Sequence, residues 1–139
     1  METDREPSAE RTPRTWIIPS NPAFYDVIGA FGESDTTQWK QGRGICVGDT
    51  VFLYVAAPYS SVMYRCEVMQ TDIPFPYADD HVRMDALMLL SVRQRYPAHL
   101  INRAVLANFG VTTVRGPRYM PSELLERIDR LKDGVVCQK

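Results

Sequence analysis

The chain is 139 residues long, 45% hydrophobic and 24% charged, with a formal net charge of −1. This length suits one domain with its own core, the charge excludes a polycation that coats nucleic acid indiscriminately, and no run approaches the roughly 20 apolar residues that span a bilayer. Three cysteines (Cys46, Cys66, Cys137) and two histidines (His81, His99) are too scattered for a disulfide framework or a zinc site, so no metal or other cofactor is expected.

Met1 to Pro13 is rich in Glu, Arg, Ser, Thr and Pro and lacks the apolar stretch of a secretory signal; it reads as a disordered tail on a cytoplasmic protein. Thr15 to Pro19 is a β-branched and aromatic run, hence a buried strand closed by proline. Asn21 as N-cap and Pro22 in the first turn then open a helix whose Phe24, Val27, Ile28 and Phe31 share a face, ended by Gly32. Residues 33–48 are polar, contain several glycines and read as a loop carrying Trp39-Lys40-Gln41. Val47-Gly48-Asp49 turns into a strand over Thr50 to Val55, and Ala57 to Ser61 is a second loop. Val62 to Thr71 alternates as a strand. Ile73 to Asp80, with Pro74 and Pro76, reads as an irregular excursion, and Met84 to Val92 as a longer strand. Pro97 opens a helix through Phe109, closed by Gly110. Val111 to Val114 is a short strand. The last helix starts at Pro121-Ser122-Glu123, carries a stripe of Leu124, Leu125, Ile128 and Leu131, and ends at Gly134. The order β, α, β, β, β, α, β, α predicts an α+β domain over residues 14–132, with tails at 1–13 and 133–139. Its strands, about five to six, should curl into a partly open barrel flanked by about three helices.

The chain has no P-loop, no GxGxxG after a strand, no GxSxG and no HExxH, so no enzyme is expected. The carboxylate pair Asp79-Asp80 lies in the loop that carries Pro74 and Pro76 and reads as solvated. Trp39 in a polar loop either plugs the barrel end or stacks on a ligand. Gln41 beside it offers a donor and an acceptor to a base edge, and Lys40 offers a cation to a phosphate. Ser20 and Asn21 bring short polar side chains and backbone N–H groups to a helix start, while Tyr59-Ser60-Ser61 supplies a ring and two hydroxyls. Trp16 and Tyr54 belong to the core; of Phe24 and Tyr25, one should be core and the other partly exposed. Phe75 and Tyr77 are rim residues or plugs. Arg115-Gly116-Pro117-Arg118 sets two guanidinium groups around a rigid turn, suited to a phosphate or a stacked base, or is an ordinary turn. Residues 83–132 carry nine basic against four acidic residues, a balance of +5. They form either one phosphate-facing side or several solvated helix faces.

Trp16-Ile17-Ile18-Pro19-Ser20-Asn21-Pro22, with Tyr25-Asp26 and Ala30-Phe31, resembles the opening of bacterial EVE domains. Trp39-Lys40-Gln41 and the run from Val47 to Val55 are similar to that family's ligand loop and following strand. Gly110-Val111 and Val114-Arg115-Gly116-Pro117 fit its close, so the resemblance spans roughly Arg14 to Leu131. It implies a PUA-like barrel, shared with YTH readers of methylated adenine in RNA and SRA readers of methylated cytosine in DNA. Some EVE domains are fused to HNH nucleases or McrB-type motors. Carried onto this chain, the resemblance makes Trp39 a wall of a base cage and puts Ser20 and Asn21 at its floor, with Gln41, Tyr59 and Ser60 as weaker base contacts. Lys40, Arg115 and Arg118 would meet phosphates. The implied partner is nucleic acid, double-stranded DNA carrying 5-methylcytosine or 5-hydroxymethylcytosine, with a separate or fused nuclease or motor doing any cutting. A reader of modified adenine or RNA, a small ASCH-like nucleoside hydrolase using Lys40, and a pure protein-interaction module are the alternatives.

Overall fold

The computed structural model describes residues 12–78 and 83–134. Its strands are β1 (Thr15–Ser20), β2 (Thr36–Lys40), β3 (Thr50–Val55), β4 (Ser61–Ala78), β5 (Arg83–Arg95) and β6 (Arg118–Tyr119). They form one sheet in the order β2-β5-β4-β3-β1-β6. The pair β1 and β3 is parallel and the rest are antiparallel. Helices α1 (Val27–Glu33), α2 (Arg103–Asn108) and α3 (Ser122–Gly134) complete the α+β architecture. No helix among the described residues is long and apolar enough to cross a membrane.

Alternation along β1 and β3 sorts their side chains to two faces. Trp16, Ile18, Val51, Leu53 and Val55 face inward with Tyr64, Cys66, Val68, Met88, Leu90 and Val92, and Val27 and Phe31 of α1 pack onto them. Ile17 and Phe52 face the other way, under Leu106 of α2 and Leu124 and Ile128 of α3. Each such fully buried side chain stabilises the fold by about 1.5–3 kcal/mol. The sheet is curled. Its two edge strands share no ladder, yet the chain leaving β2 meets the chain reaching β6: a Cβ on Gly42 would fall 2.9 Å from Pro117 Cγ and 2.8 Å from Ile45 Cδ1. Only glycine permits that approach, and it produces a partly open barrel with a seam.

The Gly48-Asp49 turn fixes the entry to β3. Gly48 takes a φ of 94°, a left-handed conformation that favours glycine. Asp49 is 0% exposed, and its carboxylate accepts from Arg14 N (3.0 Å), Trp16 Nε1 (2.9 Å) and Cys46 N (3.0 Å). One carboxylate thus ties the start of β1 to the loop before β3.

Several elements differ from the sequence reading. Asp26, not Asn21, caps α1, its side chain accepting from Gly29 N at 2.9 Å. Asn21 Oδ1 instead accepts from Ala23 N at 2.9 Å, an Asx turn that competes successfully with helix capping. Phe24 and Tyr25 therefore lie before the helix, and both are exposed (66% and 43%) rather than one being core. Trp39 is not in a loop: Thr36 to Lys40 pair with Ser91 to Leu87. The run Thr-Thr-Gln-Trp-Lys is too short and polar to announce an edge strand. The expected excursion from Ile73 is a continuation of β4, with register shifts that accommodate the interrupted pairing. Asp79, Asp80 and His81 lie outside the described residues, as do residues 1–11 and 135–139, including Cys137. Asn102, rather than Pro97, caps α2 by accepting from Val105 N at 3.1 Å. Val111 to Val114 form no strand; the short strand lies farther on, at β6. Tyr54 is only half-buried against the second core, and Phe75 is 43% exposed, a rim position. The side chain of Tyr77 is outside the described set.

Candidate nucleic-acid interface

The connection from β1 to α1 carries Tyr25 onto β2. There the pairing of Trp39 with Met88 turns the indole to the inner face, half-buried against the first core. Tyr25 meets it edge-on, with ring centroids 5.2 Å apart and planes at 87°. The Tyr25 hydroxyl shares a 2.9 Å hydrogen bond with Thr37 Oγ1, which strand alternation places on the same face as Trp39. Trp39 is thus neither a full plug nor a free loop ring. One part anchors in the core and another meets an exposed aromatic neighbour, the geometry of two adjacent walls.

Ser20 ends β1 on that inner face. It is 3% exposed, and its hydroxyl has no hydrogen-bond partner among the described residues. A buried polar group left unpaired costs about 1–3 kcal/mol, which marks Ser20 as kept for something other than stability. Tyr64 is 5% exposed, and its ring packs against Phe31 with centroids 4.8 Å apart and planes tilted by 46°; no hydrogen bond of its hydroxyl is found among the described residues. Burial pushes its phenol above the ordinary 10.0; Arg95 acts in the opposite direction, and Cys66, Tyr59 and Asp26 add to the rise. Tyr64 therefore remains a neutral hydroxyl. Tyr64 pairs with Leu53, two residues before the end of β3 and the turn that follows it.

That turn, residues 56–60, is fastened to the end of β1 by Ala56 N donating to Ser20 O at 2.8 Å. It exposes Tyr59 (39%) and holds Ser60 at a φ of 51°. Ser20, Tyr59 and Ser60 consequently share one end of the sheet. Asn21 lies there too, exposed, with Oδ1 committed to its own turn. Gln41 does not join them. Its Oε1 accepts from Asp72 N at 2.6 Å and its Nε2 donates to Asp72 Oδ1 at 3.1 Å, so its amide latches β4 and is held there by two bonds.

The cations are redistributed as well. Gly42 against Pro117 brings Lys40 and Arg43 on one side of the seam toward Arg115 and Arg118 on the other. All four side chains are exposed, and among the described residues none has an ion-pair partner. Arg93 pairs with Glu67 at 2.7 Å, and Arg95 bonds Asp35 at 3.0 Å and Phe31 O at 2.9 Å, so these two serve the fold. Arg103, Arg127 and Arg130 sit on α2 or α3, over the second core. The basic C-terminal half is therefore split between surfaces, with its Arg115–Arg118 turn at the Gly42–Pro117 approach.

Sequence reading missed Tyr25, Thr37, Tyr64 and Arg43. The available signal was the Asp26-Val-Ile-Gly29 capping geometry, which moves Tyr25 off the helix. Tyr64 shows only as an inward position in an alternating strand.

No protein-family model matches the chain, and no curated relative does so. Solved structures share its fold. A variant of the ASCH protein of Zymomonas mobilis superposes with a TM-score of 0.59 at 11% identity, covering 85% of this chain and 98% of that one. Protein Atu2648 from Agrobacterium tumefaciens gives 0.54 at 20% identity, covering 85% and 92%. The Pho92 YTH domain in complex with m6A gives 0.50 at 12% identity, covering 86% and 82%. At such identities the likeness is one of fold: the chain has the PUA-like α+β fold, with a six-stranded mixed sheet and three helices among the described residues.

Proposed function

We propose that the chain is a nucleic-acid reader of the EVE type that holds one extruded, modified base beside Trp39 and Tyr25 and does no chemistry on it. The observation that carries this reading is the right-angled Trp39–Tyr25 pair at 5.2 Å, with a buried, unpartnered Ser20 hydroxyl on the same inner face. The cation-lined seam formed by Lys40, Arg43, Arg115 and Arg118 would supply phosphate contacts.

The energies are balanced. Extruding a nucleotide costs a few kcal/mol, stacking returns about 1–3 kcal/mol per base, and a methyl group in an apolar pocket adds about 0.8 kcal/mol. Cage selectivity alone therefore gives weak binding, and phosphate contacts must provide most of the affinity. The preferred ligand is 5-methylcytosine or 5-hydroxymethylcytosine in double-stranded DNA, with a nuclease or motor as the partner that acts on the choice.

A second reading, a reader of modified adenine or of RNA, draws support from the YTH domain of the same fold solved with m6A. An ASCH-like hydrolase is less favoured: Lys40 is exposed and makes no ion pair with Asp72, which the adjacent Gln41 holds. The discriminating experiment is titration of Trp39→Ala against modified and unmodified oligonucleotides, with thermal melting alongside. A loss of about 1–3 kcal/mol of binding to the modified oligonucleotide is expected. Because the ring is half-buried, a smaller loss of stability than the roughly 3–5 kcal/mol of a core tryptophan accompanies it. Unchanged discrimination would remove Trp39 from the site.

A further inference from the structure

We infer that the hydroxyls of Ser20 and Tyr64 form the hydrogen-bonding floor of the site and read the uncharged edge of the base, selecting a heteroaromatic ring that presents an acceptor nitrogen or carbonyl oxygen. This rests on the base-reading proposal and adds to it the groups that decide which edge is accepted.

Three observations support it. Ser20 and Tyr64 are 3% and 5% exposed, and neither hydroxyl has a hydrogen-bond partner among the described residues. Both lie on the inner face with β3 between them: Ser20 pairs with Val55, and Tyr64 with Leu53. The surroundings also disfavour charge: burial first, and then the Asp26 carboxylate, oppose ionisation of Tyr64, and the Arg95 guanidinium is bonded to Asp35 and Phe31 O. A neutral ring edge would meet two hydroxyls here. Tyr64 can donate, and Ser20 can donate or accept.

The test uses Ser20→Ala and Tyr64→Phe, which delete the hydroxyls with little change of shape, and Trp39→Ala as reference. Thermal midpoints of the free proteins are measured together with affinities for duplexes bearing 5-methylcytosine, 5-hydroxymethylcytosine or N6-methyladenine, and for an unmodified duplex. The midpoint of each hydroxyl variant should equal or exceed that of the parent, since the deleted group has no partner to lose. Affinity for the preferred modified duplex should fall about tenfold for each, with unmodified binding unchanged. A marked drop in midpoint would show the hydroxyls to be structural and overturn the inference. If Trp39→Ala loses discrimination while both hydroxyl variants keep parental affinity, base reading stands and this inference alone falls. If the parent protein binds none of the duplexes, both fall together.

Discussion

Asp49 is the residue whose removal should most disturb the barrel without touching the proposed site. Its carboxylate is wholly buried and holds three N–H donors, of which Trp16 Nε1 belongs to a residue only 6% exposed. Hydrogen bonds to charged groups contribute about 1.5–3 kcal/mol each, less where water can compete. Two of these three bonds are only part-buried. Asp49→Ala should therefore cost about 3–6 kcal/mol, a large share of the 5–15 kcal/mol of a typical domain. Asp49→Asn retains one carbonyl oxygen but sets an NH2 group against a donor, and should cost about 1–3 kcal/mol. Urea unfolding followed by circular dichroism would rank the chains parent, Asn, Ala in falling stability. A fully stable Asp49→Asn protein with altered nucleic-acid affinity would refute the argument and make the Gly48-Asp49 turn part of the binding site.

Arg115→Ala and Arg118→Ala should each weaken binding to modified and unmodified DNA alike and reduce the salt dependence by about one unit of slope. A loss confined to modified DNA would show that these residues act on the base. Burial pushes the Cys66 thiol well above its ordinary 9.0, so the unfolded chain releases that proton first as pH rises. Stability is then intact below about pH 9 and falls above it, by up to about 1.4 kcal/mol per pH unit for this group, with Tyr64 adding to the fall above its own ordinary 10.0. Thermal midpoints taken across that range should show a shallower decline in Cys66→Ala; an equal slope would contradict the assignment.

Strongly apolar segments were legible in the sequence. β1, β3 and α3 each advertise burial through β-branched runs or a leucine stripe, and the burial of Trp16 and Val51 in one core and of Leu124 in the other follows from periodicity alone. What depended on tertiary pairing was not legible. β2 is a strand only because β5 lies beside it, and the polar run around Trp39 has no pattern of its own. The Asn21-Pro22 pair looks like a helix start, but the Asx turn wins because Asp26 provides a competing cap with Gly29 in reach. For the site, sequence nominated Trp39, Ser20 and the Arg115–Arg118 turn. It could not show that Gln41 is spent on Asp72, that Tyr25 closes on Trp39, or that Gly42 and Pro117 bring distant cations to one seam.

The central claim is that a modified base stacks at Trp39, and intrinsic fluorescence reads it directly. Of the two tryptophans, Trp16 is buried with its indole N–H bonded to Asp49, whereas Trp39 is half-buried beside Tyr25. Titration with a duplex carrying a single 5-methylcytosine should quench tryptophan emission saturably in the parent protein, far less with the unmodified duplex, and not at all in Trp39→Phe, where Trp16 is the one remaining tryptophan. Equal quenching by the two duplexes, or quenching that persists in Trp39→Phe, would contradict the account.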